Sequence, residues 1–214
     1  MPALKGAFVK LDAGLLGFAP NIVIFQFNPE TISRSPAQPV PATLTEGAGV
    51  HNTNQRVAQP GETISFSLRL DATDQLAAAD PDAAQFGVLP SLSAIELLLY
   101  PDPPPSASLS SSGGDSHKNP PDKLSTVLFF WGEYRILPVN VTSLSIQETE
   151  YDQMLVPIRA EVSVTCTVQT SSALDRSQVL EKGAYDYSRA AKETLAALNA
   201  VNPPDLLTKT ISSV

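Results

Sequence analysis

Between Ile158 and Gln169 the chain alternates without interruption. Ile158, Ala160, Val162, Val164, Cys166 and Val168 are apolar, whereas Arg159, Glu161, Ser163, Thr165, Thr167 and Gln169 are polar. Successive strand side chains point to opposite faces, so a period of two sustained this long describes one extended, half-buried strand. At about 3.3 Å per residue it spans roughly 40 Å, well beyond the usual run of about five or six residues. Such a strand needs a core under one face and water, or another molecule, over its hydroxyl-rich other face.

The rest of the composition narrows the setting. At 214 residues the chain fits one domain with attachments, or two small ones. A domain of about 150 residues buries roughly 70% of its unfolded surface without a staple. The single cysteine, Cys166, excludes an internal disulfide framework and a multi-cysteine zinc site, and suits a cytosolic origin. The opening MPALKGAFVKLDAGLLGFAP lacks a basic segment followed by an unbroken apolar one, so no secretory signal is expected. Apolar runs such as Ile95–Tyr100 and Val127–Trp131 fall far short of the ~18 residues of a membrane helix, so no direct membrane insertion is expected. A formal net charge of −8 with scattered Lys and Arg argues against sequence-independent nucleic-acid binding.

The pattern along the chain is mostly β. Gly6–Leu11 and Ile22–Phe27 read as an opening pair of strands, the second stopped at Asn28-Pro29-Glu30. Residues 33 to 61, with Pro36, Pro39, Pro41, Gly47, Gly49, Pro60 and Gly61, read as a long loop. Glu62–Leu70 alternates strictly. Asp71 then reads as the N-cap of a short alanine-rich helix ended before Pro81, and Ser91 as the cap of a second, with Leu92, Ile95, Leu98 and Leu99 on one stripe. Residues 101 to 123 are low-complexity and predict disorder. Ser125–Trp131 predicts a dense apolar strand, turned at Gly132-Glu133 into Tyr134–Gln147. Along that second strand the apolar register slips near Thr142-Ser143, which predicts a bulge. Asp152–Met154 turns the chain into the long strand. Beyond it, Leu180, Ala184, Tyr187, Ala191, Leu195 and Leu198 form one stripe of a helix from about Asp175 to Ala200, ended by Asn202-Pro203-Pro204.

Chemistry-bearing constellations are scarce. His51 and His117 stand far apart in Pro/Gly/Asn-rich stretches without acidic or cysteine partners at ligand spacing, and read as solvated loop residues. Cys166 lies on the apolar face and reads as a small buried hydrophobe. Glu148, Glu150 and Asp152 would share one face of a continuing strand, ~7 Å apart. They read as a solvated acidic edge or as a surface that salt-bridges to a neighbouring copy. No GxGxxG or GxxxxGK[ST] loop occurs, and Gly113-Gly114 reads as a spacer. Trp131 with Phe129 and Phe130 reads as core, with a ligand-stacking platform as the alternative. No catalytic residue, cofactor site or metal site is expected.

The order of pieces carries a resemblance. FQFNPETIS at 25–33, GETISFSLRLDA at 61–72, GVLPSLSAIELLLYP at 87–101 and the stretch from LFFWGEYRILP at 128 through to TCTV at 168 together resemble the tube-like domain of contractile injection systems. That domain belongs to the baseplate protein between inner tube and spike in these phage-tail-derived particles. The resemblance covers about residues 5 to 170. Its most specific parts are Phe27-Asn28-Pro29, Trp131-Gly132, and Glu148 through Asp152 to Pro157-Ile158-Arg159. It implies a mainly β (α+β) fold: a phage tail-tube-like β-barrel or sandwich with long strands, one or two short helices and a C-terminal helix. The implied division is a tail-tube-like domain over 1–172, including the loop at about 102–123, and a helix and tail over 173–214.

The resemblance further implies a six-fold ring that templates tube assembly. Its partners would be further copies, inner tube protein, spike or hub, and wedge or sheath components, with assembly in the cytoplasm into a particle retained or released. Many members continue into a LysM module; the chain after residue 170 has a helix and tail instead, expected to pack on the ring exterior or to dock on a wedge or sheath component. Candidate inter-subunit or lumen residues are Arg69, Glu148, Glu150, Asp152, Arg159, Glu161, Ser163 and Thr165. Two other readings stay open: a bulk inner-tube protein, and a monomeric β-barrel binding a small ligand or glycan at Trp131.

Overall fold

The computed structural model describes residues 4–10, 21–38, 60–100, 126–174 and 178–201. Along them run β1 (Ala7–Lys10), β2 (Asn21–Ile24), β3 (Ile32–Ala37), β4 (Gly61–Asp71), α1 (Thr73–Ala77), α2 (Pro81–Phe86), α3 (Leu89–Glu96), β5 (Val127–Phe130), β6 (Ile136–Tyr151), β7 (Pro157–Val168) and α4 (Val179–Val201). The strands form one antiparallel sheet in the order β2-β1-β5-β6-β7-β4-β3. The protein is mainly β with a C-terminal helix, as the alternation predicts.

The long strand is β7, and its two faces separate cleanly. Ala160, Val162, Val164, Cys166 and Val168 are buried, while Glu161 and Ser163 are exposed. On one side it pairs with β4, whose Ile64, Phe66, Leu68 and Leu70 lie opposite those buried residues. On the other side it pairs with β6. There Val141 faces Cys166 and Ser143 faces Thr165, which leaves Thr142 as the extra residue of a bulge. Its hydroxyl donates to the Thr165 carbonyl at 3.1 Å. The slip in the apolar pattern is therefore the bulge, and it lets Leu144 and Ile146 return to the core side.

The sheet folds over on itself. Phe8 of β1 and Phe66 of β4 occupy the second and sixth strands of the order, yet their rings lie 6.0 Å apart. Phe25 and Phe129 complete the cluster, at 5.3 and 5.5 Å from Phe8. Trp131, half-buried, stacks on Phe129 at 6.2 Å, which is a packing role.

Two side-chain amides do the work of strand backbone where the sheet turns. Gln26 donates to the Asp71 carbonyl and accepts from the Asp71 amide at 2.9 Å, tying the chain after β2 to the end of β4. Asn28, of the Phe-Asn-Pro turn, accepts from the Gly6 amide at 2.9 Å and donates to the Leu4 carbonyl at 2.8 Å. Pro29 can supply no amide of its own, so the Asn28 side chain continues the pairing of β1 with the chain beyond β2.

Several expectations need correction. Residues 33–37 are not loop: they belong to β3, an edge strand paired with the first half of β4. Pro36 is tolerated because an edge strand needs only half its amides. Ser91 is inside α3; the cap position is Val88, and Pro90 sits in the first turn. Asp71 accepts from the Thr73 amide at 2.8 Å, but the cap of α1 is Ala72. Asp80 caps a further helix, α2, accepting from Asp82 and Ala83, so Pro81 opens a helix as well as following one. The strand after the Gly132 turn begins at Ile136 and runs to Tyr151. His51, His117, Gly113-Gly114, the 101–123 segment and the tail after Val201 lie outside the described residues, as does Asp175.

The predicted stripe of α3 holds: Leu92, Ile95 and Leu98 are buried and Leu99 packs against them. α4 docks differently from its pattern. Its contact side is Tyr185 and the buried Ser188, whose hydroxyl donates to the Ile136 carbonyl at 2.7 Å and accepts from the Ile136 amide at 2.9 Å. The apolar stripe points elsewhere: Leu180, Tyr187, Leu195 and Leu198 are all exposed.

Gly6 marks the tightest point of the fold-over. A Cβ there would stand 2.6 Å from Phe25 Cδ2 and 2.8 Å from Trp131 Cε3. Gly6→Ala is therefore expected to lower unfolding stability by about 1–3 kcal/mol, the usual range for overpacking. The check is the urea midpoint; an unchanged midpoint contradicts the packing described.

Candidate assembly face

The face of β6, β7, β4 and β3 that points away from the phenylalanines is built in rows. Directly opposed residues of an antiparallel pair share a face, so the register gives each row. Asn140, Thr167, Thr63 and Ser35 form one; Ser143, Thr165, Ser65 and Ser33 form the next; Ser145, Ser163 and Ser67 a third. Gln147, Glu161 and Arg69 follow, and Glu150, Arg159 and Asp71 close the series. Three rows of amide and hydroxyl groups thus lead into two rows of charge. The Ser67 and Ser163 hydroxyls are 3.1 Å apart across their strands. Short neutral polar side chains keep this surface wet without presenting anything for an apolar chain to grip.

The last row is an ion cluster centred on Arg159. Its Nε donates to Asp71 Oδ2 at 2.7 Å, one terminal nitrogen to Glu150 Oε1 at 2.6 Å, and the other to the Thr73 hydroxyl at 3.2 Å. Partial burial pushes the Asp71 carboxyl up, but Thr73 and Arg159 outweigh it, so its pKa lies below the ordinary aspartate value. Asp71 and Glu150 in turn raise the pKa of Arg159.

Of the candidate residues, Arg69, Glu150, Arg159, Glu161, Ser163 and Thr165 share this face. Glu148 does not. It opposes Ala160 whereas Glu150 opposes Arg159, and a register shift lies between them. The extra residue on β6 puts the two carboxylates on opposite faces, against the expectation that 148, 150 and 152 share one. Glu150 also finds its cation within the chain. Asp152 lies beyond the ladder and shapes the hairpin turn: its Oδ1 accepts from the Met154 and Val156 amides, both at 2.8 Å. Leu155 there has φ +63°. Cys166 is buried, and burial pushes its thiol up to about 12.

A second ion cluster was not anticipated. Glu62 falls on the apolar side of β4, and its carboxylate pairs with Arg34 of β3 and with Lys192 of α4, the latter at 3.3 Å. Burial pushes this carboxyl up, but Arg34 and Lys192 hold it below the ordinary value. The one legible signal is that Glu62 occupies an apolar-register position of β4. Among the described residues there is no group of metal-ligating side chains able to hold an ion, and no helix long and apolar enough to cross a membrane.

The described residues thus form one curled antiparallel sheet with a long hydroxyl-rich face, without a cluster of side chains arranged for catalysis. The model of the contractile injection system tube protein family matches residues 17–177, and the chain belongs to that family. No curated protein matches it.

The Asp71–Arg159–Glu150 cluster makes a pH prediction. A carboxylate whose folded pKa is depressed contributes stability that is present above its unfolded value and lost as pH falls through the folded one. The reference value for Asp71 is 3.8, so stability should hold from pH 7 to about 5 and decline at and below about pH 4. Asp71→Asn should flatten part of that acid limb in urea titrations. An acid limb identical to the native chain's contradicts the assignment.

Proposed function

We propose that copies of this chain close into a six-fold ring at the junction of inner tube and baseplate or spike, where the ring templates tube assembly. The observation that carries this reading is the hydroxyl-rich face over β6, β7, β4 and β3, bounded by the β3 edge. Among the described residues, β2 and β3 end the sheet order and are each paired on one side only. Exposed edges invite pairing with another chain, and a closed ring removes them by rotation. The rows of Ser and Thr then line a polar lumen through which cargo slides without adhering. The junction position is favoured by α4, which lies outside the family match of 17–177 and adds a docking element that a bulk tube subunit does not need. Partners in this reading are further copies, inner tube protein, the spike or hub, and wedge or sheath components, assembled in the cytoplasm.

A second reading, a bulk inner-tube subunit, is supported by the family's own description as tube protein. Copy number separates the two: about six per particle for a junction ring, many tens for the tube. Quantitative mass spectrometry of purified particles gives the number directly.

The lumen assignment has its own test. Ser163→Cys or Thr165→Cys in assembled particles should react with a small maleimide and be protected from one too large for the bore. The buried, high-pKa Cys166 supplies little background. Equal labelling by the large reagent before and after assembly contradicts a luminal polar face.

A further inference from the structure

Among the described residues three polar or charged side chains are buried: Glu62, Thr126 and Ser188. All three lie where α4 meets the sheet. Gln178, just before the helix, donates to the Thr126 hydroxyl at 3.1 Å. Lys192 donates to the Glu62 carboxylate at 3.3 Å, and Ser188 holds both backbone groups of Ile136. A fourth tie is polar as well, from the Tyr187 hydroxyl to the Glu133 carbonyl at 3.2 Å.

Apolar packing does little to hold this helix. A helix that belongs to a core buries its apolar stripe. Here Leu180, Tyr187, Leu195 and Leu198 are exposed, and Ser188 is the one buried residue among those described in α4. The buried core cluster includes no residue of α4; Tyr185 packs against it from outside. A groove of about 770 Å³ remains between helix and sheet, walled by Tyr185 and Arg189 on one side and by Pro36, Leu137 and Val168 on the other. The two surfaces are therefore not close-packed, as a core would be.

Ser188 also fills a place in the strand ladder. Val139 of β6 opposes Val168 of β7, and the Gln169 amide donates to the Pro138 carbonyl at 2.8 Å. In an antiparallel ladder the next bonded position lies two residues on, which on β6 is Ile136. Its carbonyl accepts from the Ser188 hydroxyl and its amide donates to it. One helix side chain thus stands in for the strand that has ended.

We propose that α4 is a releasable latch, which leaves the sheet as a unit while the sheet stays folded. Segments with few buried apolar contacts open below the free energy of global unfolding, and polar, loosely packed contacts within a chain permit relative motion. The sheet keeps its own core without α4, and the helix lies beyond the family match of 17–177. Release rehydrates Thr126 and Glu62, leaves Glu62 paired with Arg34, and uncovers the ladder position at Ile136. The fastening is the pair of Glu62 with the exposed Lys192. The latch acts within one copy, so it stands apart from the ring reading.

Hydrogen–deuterium exchange of the free full chain, at one fixed pH, tests the latch. Amides of residues 184–192 should be protected at least about tenfold less than those of β7. Lys192→Met should lower α4 protection by a further factor of about ten, near what a charge-assisted hydrogen bond contributes, and leave β7 unchanged. Raising the salt to about 1 M screens the same pair without a substitution and should act in the same direction. Equal protection of α4 and β7 overturns the latch, because the helix then opens only with the whole fold. An α4 protection that neither Lys192→Met nor salt changes overturns the assignment of the Glu62 pair as its fastening.

Discussion

The contact between Phe8 and Phe66 is the constraint on which the rest depends. It joins the second and sixth strands of a single sheet and so decides which face is inside. Once Phe8, Phe25, Phe66 and Phe129 are packed, every second residue of β4 and β7 must follow them inward, and the serines and threonines between must face out. Burying aromatic side chains of this size provides far more driving force than any hydrogen bond on the other face. The hydroxyl rows are a consequence of that packing, and the Gln26 and Asn28 amides hold the fold-over where backbone pairing cannot reach.

What the sequence made legible was what periodicity controls. β4 and β7 announce themselves because one face is buried along the whole length, and the slip at Thr142-Ser143 announces the bulge for the same reason. β3 was hidden: an edge strand half exposed carries no apolar alternation, and Pro36 reads as punctuation when no neighbour is known. α2 was hidden because Pro81 marks either an end or a beginning, and only the Asp80 side chain decides between them. The split of Glu148 from Glu150 depends on one extra residue near Thr149, which no spacing argument reveals. In α4 the apolar spacing was legible, but not which side of the helix meets the sheet. The large residues of the stripe, Leu180, Tyr187, Leu195 and Leu198, are exposed, and the buried Ser188 fixes the helix to β6.

The arrangement of charge fits the same picture. Arg159 gathers its carboxylates within the chain at the far end of the polar face, and Glu62 ties α4 to β3 and β4 on the opposite side. Both clusters lock elements of one copy together. Among the described residues, the features left for contact with other molecules are the unpaired sides of β2 and β3, the hydroxyl rows and the exposed leucines near the end of α4. In the proposed ring that division keeps each copy's interior rigid while its edges are shared.

Closure of the proposed ring shares those two edges between copies. Hydrogen–deuterium exchange measured on the free chain and on assembled particles tests it most directly. Amides of β2 and β3 are expected to exchange readily in the free chain and become strongly protected on assembly, while those of β7, already paired on both sides, change little. Edge amides that exchange at the same rate in both states would contradict it.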